Sequence, residues 1–291
     1  MTRCRSGVSV RARAGRRAGK MIEVGQFEDV TQIRMSREID GTPLYWVAAY
    51  LVDGLLVDTG CSYTAGELAS FLDDRDVRLV VNSHFHEDHV GCNHILQERF
   101  NLDIFAHPDS IPLIGKKVEL FPYQETVWGY PVPTKVMPLP EYIRTERYRF
   151  DVMETPGHSA GHVALVEMNE GWCFSADIFA RETMKFIRPE EDMELTIQSM
   201  KRLIDLDTER LVLFTSVGKI VADGRRVLGA SIEYLETLAD KVHRLRKEGR
   251  SVDEIIWELF GGEHPFAELT NGQYTTENLV RSLLKIKDGQ S

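Results

Sequence analysis

The segment NSHFHEDHVG, residues 82–91, most constrains what this chain can fold into. It follows the apolar run 79–81, which is typical of a buried strand, and it places three imidazoles and the carboxylate of Asp88 within six residues. Because alternate side chains of an extended loop point the same way, His84 and His86 can chelate one ion together. Imidazole nitrogen and carboxylate oxygen are ligands of open, catalytic-type zinc sites. The segment therefore predicts metal binding.

Further metal ligands are expected from the remainder of this segment and from other strand ends. Asp88 and His89 turn with the chain after the chelating pair and can face a second position. His158 follows a predicted strand and a Pro-Gly turn, and Asp177 ends another predicted strand. A single histidine or aspartate at a strand end is usually a polar cap. As additional members of one set, these residues strengthen the prediction of a metal site.

Four short motifs occur in a fixed order along the chain. They are Asp58-Thr59-Gly60, His84-Phe85-His86-Glu87-Asp88-His89, Pro156-Gly157-His158 and Ala176-Asp177. In this order they resemble the metallo-β-lactamase fold superfamily, over about residues 40–220. The resemblance implies an α/β fold, an αββα four-layer sandwich with the site along one sheet edge.

The resemblance also implies a role for each motif residue. The implied ligands are His84, His86 and His158 for one ion, Asp88 and His89 for a second, and Asp177 as the bridge between them. Asp58 would support a ligand histidine by a hydrogen bond, the alternative being a turn-stabilising carboxylate. Asp88 is also placed to orient or deprotonate the attacking water. One or two Zn²⁺ ions fit these ligand types, and Fe or Mn also remain open.

One ligand position departs from the family pattern. Most dinuclear members close the second site with a histidine in a Gly-His-Gly turn after the last core strand. Aligned on Gly218, that position holds Val217, and a shift of one residue would place Ser216 there, a poor ligand while protonated. Three interpretations stay open: a weakly held second ion, a one-metal enzyme, or a fold that has lost catalysis. His264, in a predicted loop, is the remote substitute.

The predicted activity is hydrolysis of a small ester, thioester or lactone by a metal-activated water. A catalytically silent metal- or ligand-binding member of the fold, a phosphoesterase and an iron-dependent redox module are the alternatives. Segment 107–141, dense in proline and aromatics, is expected to be an irregular loop that overhangs the site. The expected substrate-binding residues are Tyr123, Trp128, Tyr130 and Tyr274. Glu182, Lys185 and Arg188 are expected to be surface charges, the alternative being contact with a polar substrate.

Charge and cysteine usage limit the partners and the compartment. Residues 1–20 carry six Arg, one Lys and no acid, so 28 basic against 45 acidic side chains remain in the rest of the chain. Such an acidic body argues against nucleic-acid or anionic-membrane binding and favours a small-molecule substrate. Three cysteines without CxxC spacing remain outside this segment, which favours reduced thiols and a cytoplasmic location.

Three regions are predicted along the chain. Residues 1–20 are interpreted as a disordered or non-native extension, residues 21–225 as the metallo-β-lactamase-like domain, and residues 226–291 as a helical C-terminal region. The last region leaves two roles open, because its helices could cap the site or form the contact of a homodimer.

Overall fold

Residues 21–286 are described by the computed structural model of the protein, and they form two β-sheets between two layers of helices. The proposed N-terminal extension, residues 1–20, lies outside the described residues. The strands are β1 (Ile22–Phe27), β2 (Val30–Met35), β3 (Glu38–Ile39), β4 (Thr42–Pro43), β5 (Val47–Val52), β6 (Gly54–Val57), β7 (Val77–Val81), β8 (Asp103–Ala106), β9 (Met137–Pro138), β10 (Tyr142–Arg144), β11 (Arg149–Glu154), β12 (Val163–Glu167), β13 (Trp172–Ala176), β14 (Val212–Thr215) and β15 (Ile220–Val221). The helices are α1 (Ala65–Leu72), α2 (Glu87–Val90), α3 (Asn93–Phe100), α4 (Ile111–Ile114), α5 (Pro122–Val127), α6 (Met193–Ile204), α7 (Gly224–Lys247), α8 (Val252–Phe260), α9 (Phe266–Leu269) and α10 (Thr276–Leu283).

The order of strands brings several loops to a common edge. The first sheet runs β1-β2-β5-β6-β7-β8-β9, the second runs β10-β11-β12-β13-β14-β15, and β3 pairs with β4 in a separate hairpin. Strands β6, β7, β8 and β9 pair in parallel, and so do β13 and β14. Because the carboxyl ends of parallel neighbours lie at the same edge, the loops after β6 and β7 meet, and so do those after β13 and β14.

Three hydrophobic cores separate the layers. The central core lies between the sheets and contains Tyr50 from β5 and Phe150, Phe174 and Phe214 from the second sheet. A second core packs α1 and α3 onto the outer face of the first sheet. A third packs α6, α7, α8 and α10 onto the outer face of the second sheet. This arrangement of helices, sheet, sheet and helices confirms the predicted αββα sandwich.

Local signals in the sequence account for several elements. Val47–Val52 and Gly54–Val57 form the predicted hairpin across Asp53-Gly54, and Met193–Ile204 is the predicted amphipathic helix. At the start of α8, Ser251 Oγ accepts from Glu254 N while the Glu254 carboxylate accepts from Ser251 N, the predicted capping box. No helix within residues 21–286 combines the length and the apolar character that crossing a membrane requires.

The expectation of an irregular loop over residues 107–141 was wrong in part. This segment contains α4 and α5, and its strand β9 adds to the first sheet beside β8. Pro122 is the first residue of α5, where its missing N–H costs no hydrogen bond and its fixed φ suits the helix. The prolines therefore start and separate short elements here rather than preventing them.

Candidate metal centre

The candidate site lies where loops from both sheets converge. Asp58 follows β6, and the segment with His84 follows β7, the parallel neighbour of β6. His158 lies in the loop between β11 and β12, and Asp177 follows β13. Ser216 follows β14, which is the parallel neighbour of β13. Residues up to 158 positions apart in sequence are thus assembled by the topology of the sandwich.

The first donor group comprises His84, His86, His158 and Asp177, whose ligand atoms all lie within 4.8 Å of one another. His86 Nδ1 lies 2.9 Å from His84 Nε2 and 3.0 Å from His158 Nε2. Asp177 Oδ2 lies 3.6 Å from His84 Nε2 and 3.3 Å from His158 Nε2. A tetrahedron with bonds of about 2.0 Å has edges of about 3.3 Å, so these separations suit one zinc-sized ion.

The electrostatics of the first group favour metal binding. Burial lowers the pKa of His84 well below its ordinary value, and the neighbouring imidazole of His89 adds to the shift. Burial likewise lowers the pKa of His86 well below its ordinary value, and the positive charge of the nearby Arg188 guanidinium lowers it further. Neutral imidazoles are the form that coordinates a metal ion. Burial alone would raise the pKa of Asp177, but the charges of His158 and His89 hold it well below its usual range.

The second donor group comprises Asp88, His89 and Asp177. His89 Nε2 lies 3.2 Å from Asp177 Oδ2 and 3.8 Å from Asp88 Oδ2, yet it is buried without a hydrogen-bond partner among the described residues. Burial disfavours a charged His89, but Asp58, Asp88 and Asp177 outweigh it and raise its pKa well above the ordinary value. The surroundings of Nε2 therefore stabilise positive charge, whether a proton or a metal ion carries it.

Asp58 has the position that the resemblance implied. His89 Nδ1 lies 2.7 Å from Asp58 Oδ2, and because an ionised carboxylate only accepts, Nδ1 carries the proton. Ser83 holds the same carboxylate, donating from its backbone N to Oδ1 and from Oγ to Oδ2, each at 2.8 Å. Nε2 of His89 is left as the atom directed at the donor group. Such partners orient a metal-binding histidine and fix its tautomer.

Glu191, which was not predicted from the sequence, lies beside the ligand histidine His158 as Asp58 lies beside His89. Its Oε2 lies 3.4 Å from His158 Nδ1, and its Oε1 accepts from the backbone N of Arg188 at 2.8 Å. Burial lowers the pKa of His158, but Asp177 and Glu191 outweigh it and raise that pKa. His162 orients Asp177, whose backbone N donates to His162 Nε2 at 3.3 Å.

Ser216 and Val217 lie directly after β14, in the turn aligned by sequence with the expected histidine. The Ser216 hydroxyl donates to Asp177 Oδ1, and Val217 lines the adjacent pocket. Within residues 21–286, no fourth histidine, cysteine or carboxylate joins the second group. His264 does not replace the missing ligand, since its ring packs at 4.5 Å on Phe186. The second group thus offers three donors.

A cavity of about 370 Å³ opens beside both donor groups. Three of the four expected substrate-binding residues, Tyr123, Trp128 and Tyr274, line it. Tyr130 does not, which corrects that expectation: it follows the turn at Gly129, whose φ is +74°, and its side chain is 48% exposed. Such a turn ends a helix and redirects the chain, here towards the solvent.

The cavity also contains residues outside the four that were expected to bind substrate. Arg188 lines it and is only 3% exposed, so its expected surface position was wrong, and it lies where the alternative, contact with a polar substrate, requires it. Tyr45 lines it from the segment before β5, packing edge-on against Trp128 at 5.8 Å. Neither position carries a local signal, because a polar segment before a helix and an aromatic residue before a strand are both common on surfaces.

The chain belongs to the metallo-β-lactamase superfamily, whose profile matches residues 47–215. It is 27% identical over 180 residues to a hydroxyacylglutathione hydrolase of Chelativorans sp. strain BNC1, which covers 59% of this chain. The match spans 61% of that relative, about six-tenths of its length.

Solved structures share the fold. A beta-lactamase domain protein from Burkholderia ambifaria superimposes with a TM-score of 0.62 at 19% identity, covering 88% of this chain and 80% of that one. A 27% identical protein crystallised in a di-iron-bound form gives a TM-score of 0.51 over 65% of this chain and 93% of that one. The comparisons establish the fold and a metal-binding superfamily, in which the identity of the metal differs between members.

Proposed function

We propose that the protein is a metal-dependent hydrolase of a small ester, thioester or lactone. The observation that carries the proposal is the pair of donor groups sharing Asp177 beside a cavity of about 370 Å³. Pockets of this size suit small molecules. Among the three substrate classes, thioesters gain support from the hydroxyacylglutathione hydrolases similar to this chain at 23–30% identity.

The donor sets fit one or two divalent metal ions, with zinc proposed and iron or manganese as alternatives. His84, His86 and His158 would hold the first, Asp88 and His89 the second, and Asp177 would contact both. A bound ion would supply Lewis-acid activation, bringing the pKa of water to about 7 and polarising the carbonyl of the substrate.

With one ion, held by the first group alone, Asp88 is the proposed general base. Burial raises the pKa of its carboxyl to about 6, near the range in which a base works efficiently at neutral pH. In the proposed reaction its carboxylate accepts a proton from water as the oxygen attacks the acyl carbon, the bond to sulfur or oxygen breaks, and the leaving group takes up the proton. Apolar and aromatic side chains line the cavity beside Asp88 and would contact the substrate.

Elemental analysis of the purified protein, combined with activity assays, tests this proposal. We expect about one to two ions per chain, the range that two donor groups allow, and hydrolysis of at least one class in a panel of thioesters, lactones and phosphoesters. A metal-loaded protein that leaves the panel untouched would contradict the proposal. It would instead favour the second candidate, a silent metal- or ligand-binding protein, which the three-donor second group supports.

We also propose a small-molecule substrate rather than nucleic acid or membrane, and a cytoplasmic location. The acidic net charge of −10 supports the first statement. Cys61, Cys92 and Cys173 support the second, since all three are buried and free.

A further inference from the structure

Three cationic side chains line one side of the cavity, in a protein whose net charge is −10. Arg181, Lys185 and Arg188 all lie in the segment between β13 and α6. Arg181 and Lys185 are exposed at the rim, and neither forms a salt bridge or side-chain hydrogen bond within residues 21–286. The Arg181 guanidinium lies 5.8 Å from the centre of the Phe186 ring. Two unpaired cations therefore face the entrance to the site.

Arg188 is the deepest of the three and is held in a fixed orientation. Its Nε donates to Tyr274 Oη at 2.8 Å. Its Nη2 donates to Glu87 Oε1 in a long hydrogen bond of 3.5 Å, and its Nη1 lies 3.9 Å from Glu190 Oε1. Glu87 is itself engaged by Gln124 Nε2 at 2.7 Å. Because a guanidinium has five N–H donors, Arg188 retains donors for an anion in the cavity.

Two further donors in the cavity lack partners. Tyr123 Oη and Trp128 Nε1 are buried with no hydrogen-bond partner among the described residues, although both side chains line the cavity. Buried polar groups of this kind are normally satisfied, so each points to an acceptor supplied by a ligand. The surrounding rings form apolar walls, with Tyr45 at 5.8 Å from Trp128 and Tyr274 at 6.2 Å from Tyr123.

We propose that the cavity binds an organic anion, a substrate whose apolar or aromatic body carries a carboxylate, phosphate or sulfonate in addition to the bond that is hydrolysed. Arg188 and the rim cations Arg181 and Lys185 bind the charged group, and the aromatic walls bind the body. The proposal rests on the proposed hydrolase function of the same site, and it adds the chemical class of the substrate. A direct binding measurement can test it without turnover.

The probe is naphthalene-2-sulfonate, because a sulfonate is a weak ligand for metal ions and its binding reports on the cations. The uncharged methyl 2-naphthyl sulfone is the matched comparison. Titrations of the metal-loaded protein by calorimetry measure both dissociation constants. We expect the sulfonate to bind at least about tenfold more tightly, and its affinity to fall as the salt concentration rises. Equal affinities for the two probes would overturn the proposal.

Two double variants locate the binding. Replacing Arg181 and Lys185 by alanine is expected to weaken sulfonate binding about tenfold while leaving sulfone binding unchanged. Replacing Lys116 and Lys241 by alanine removes the same net charge from exposed positions outside the cavity and is expected to change neither. If both double variants weakened sulfonate binding equally, the effect would come from net charge alone, and the assignment of Arg181 and Lys185 to the anion site would be overturned. Arg188→Lys, which keeps a charge beside Glu87, tests the deeper contact through the loss of sulfonate affinity.

Hydrolysis is measured separately, with a pair of thioesters that differ only in a distal carboxylate or its methyl ester. Selective sulfonate binding without hydrolysis of either thioester would contradict the proposed function and leave the anion site standing. Equal hydrolysis of both thioesters, with no preference for the sulfonate, would leave the function standing and overturn the anion site.

Discussion

The two donor groups share Asp177 and are nonetheless unequal. The first combines three imidazoles and a carboxylate from three separate loops, all within 4.8 Å of one another. The second has Asp88 and His89 from a single short helix, together with the shared carboxylate. No further imidazole joins the second group among residues 21–286, and the Ser216 hydroxyl donates to the shared carboxylate of Asp177.

Because the first group has one more donor than the second, we expect the first ion to bind more tightly. Each lost ligand lowers affinity, and the shared Asp177 makes occupancy of one group affect the geometry of the other. The inequality also separates two kinds of residue. Asp58 contacts a ligand of the second group directly, through His89, and reaches His84 of the first group only through the Ser83 hydroxyl, whereas Asp177 belongs to both groups. Variants of these residues can therefore test whether the two groups differ in affinity.

The largest effect is expected for His86→Gln. Its Nδ1 lies within 3.0 Å of both other imidazole nitrogens of the first group, so the substitution removes the central donor. Replacing a residue that hydrogen-bonds to a metal ligand typically lowers metal affinity or activity by up to about a hundredfold. Loss of a ligand itself should therefore lower kcat/KM by more than that. Elemental analysis should show loss of the more tightly bound ion.

His94→Gln is the matched control for this change. His94 lies on α3, is 40% exposed in its side chain and pairs with Glu98 on the same helix. We expect it to retain both metal content and activity. Full activity in His86→Gln would exclude the first group as the working centre.

Asp58→Asn should have the next largest effect and should fall on the second group. Asparagine can turn an N–H towards His89 Nδ1, which disfavours the tautomer that leaves Nε2 free for a metal ion. We expect affinity for the second ion to fall by about 10–100-fold, with a smaller change for the first. Metal titration of the apoprotein measures both constants, and Asp76→Asn, at an exposed carboxylate paired with Arg78, is the control. Equal losses at both groups would remove the distinction between them.

More of the metal centre than of the adjacent cavity could be predicted from the sequence. The first group could be predicted because His84 and His86 have a spacing that already implies chelation, and because His158 and Asp177 follow recognisable strands. Arg188 has no such pattern. Its burial results from packing against Tyr274, which lies 86 residues further along the chain. Contacts of this kind depend on tertiary structure rather than on local periodicity.

The fold shows the same limit. The hairpin over β5 and β6 carries strong β propensity and an Asp-Gly turn, and its position followed from them. Strand β9, with two residues and a proline, has no strand propensity of its own and exists because the edge of β8 is available for pairing. Strands β1 and β2 were not predicted. β1 lies at the edge of the first sheet and carries polar residues at several positions, which weakens the pattern expected of a strand.

Val217→His should bring the second group closer to the first. Val217 lines the cavity next to Ser216, whose hydroxyl already reaches Asp177. An imidazole here would add a fourth donor to the three present, and we expect affinity for the second ion to rise about tenfold. Val217→Ala changes the same position without adding a ligand and should leave affinity unaltered. If the dissociation constant of the second ion is unchanged in Val217→His, the turn after β14 directs this side chain away from the ions.

The smallest effect is expected for Glu191→Gln, which tests whether the first group needs the kind of support that Asp58 gives to the second. Glu191 Oε2 lies 3.4 Å from His158 Nδ1, whereas Asp58 Oδ2 lies 2.7 Å from His89 Nδ1. The longer contact orients its histidine less firmly, and His158 is one of four donors rather than one of three. Affinity for the first ion should therefore fall by no more than about tenfold, the lower end for such partners, with the second ion unaffected. Glu194→Gln, on α6 and outside both groups, is the control in the same metal titration. A loss as large as that of Asp58→Asn would show that the first group depends on outer hydrogen bonds as much as the second, and that its extra donor does not make it more robust.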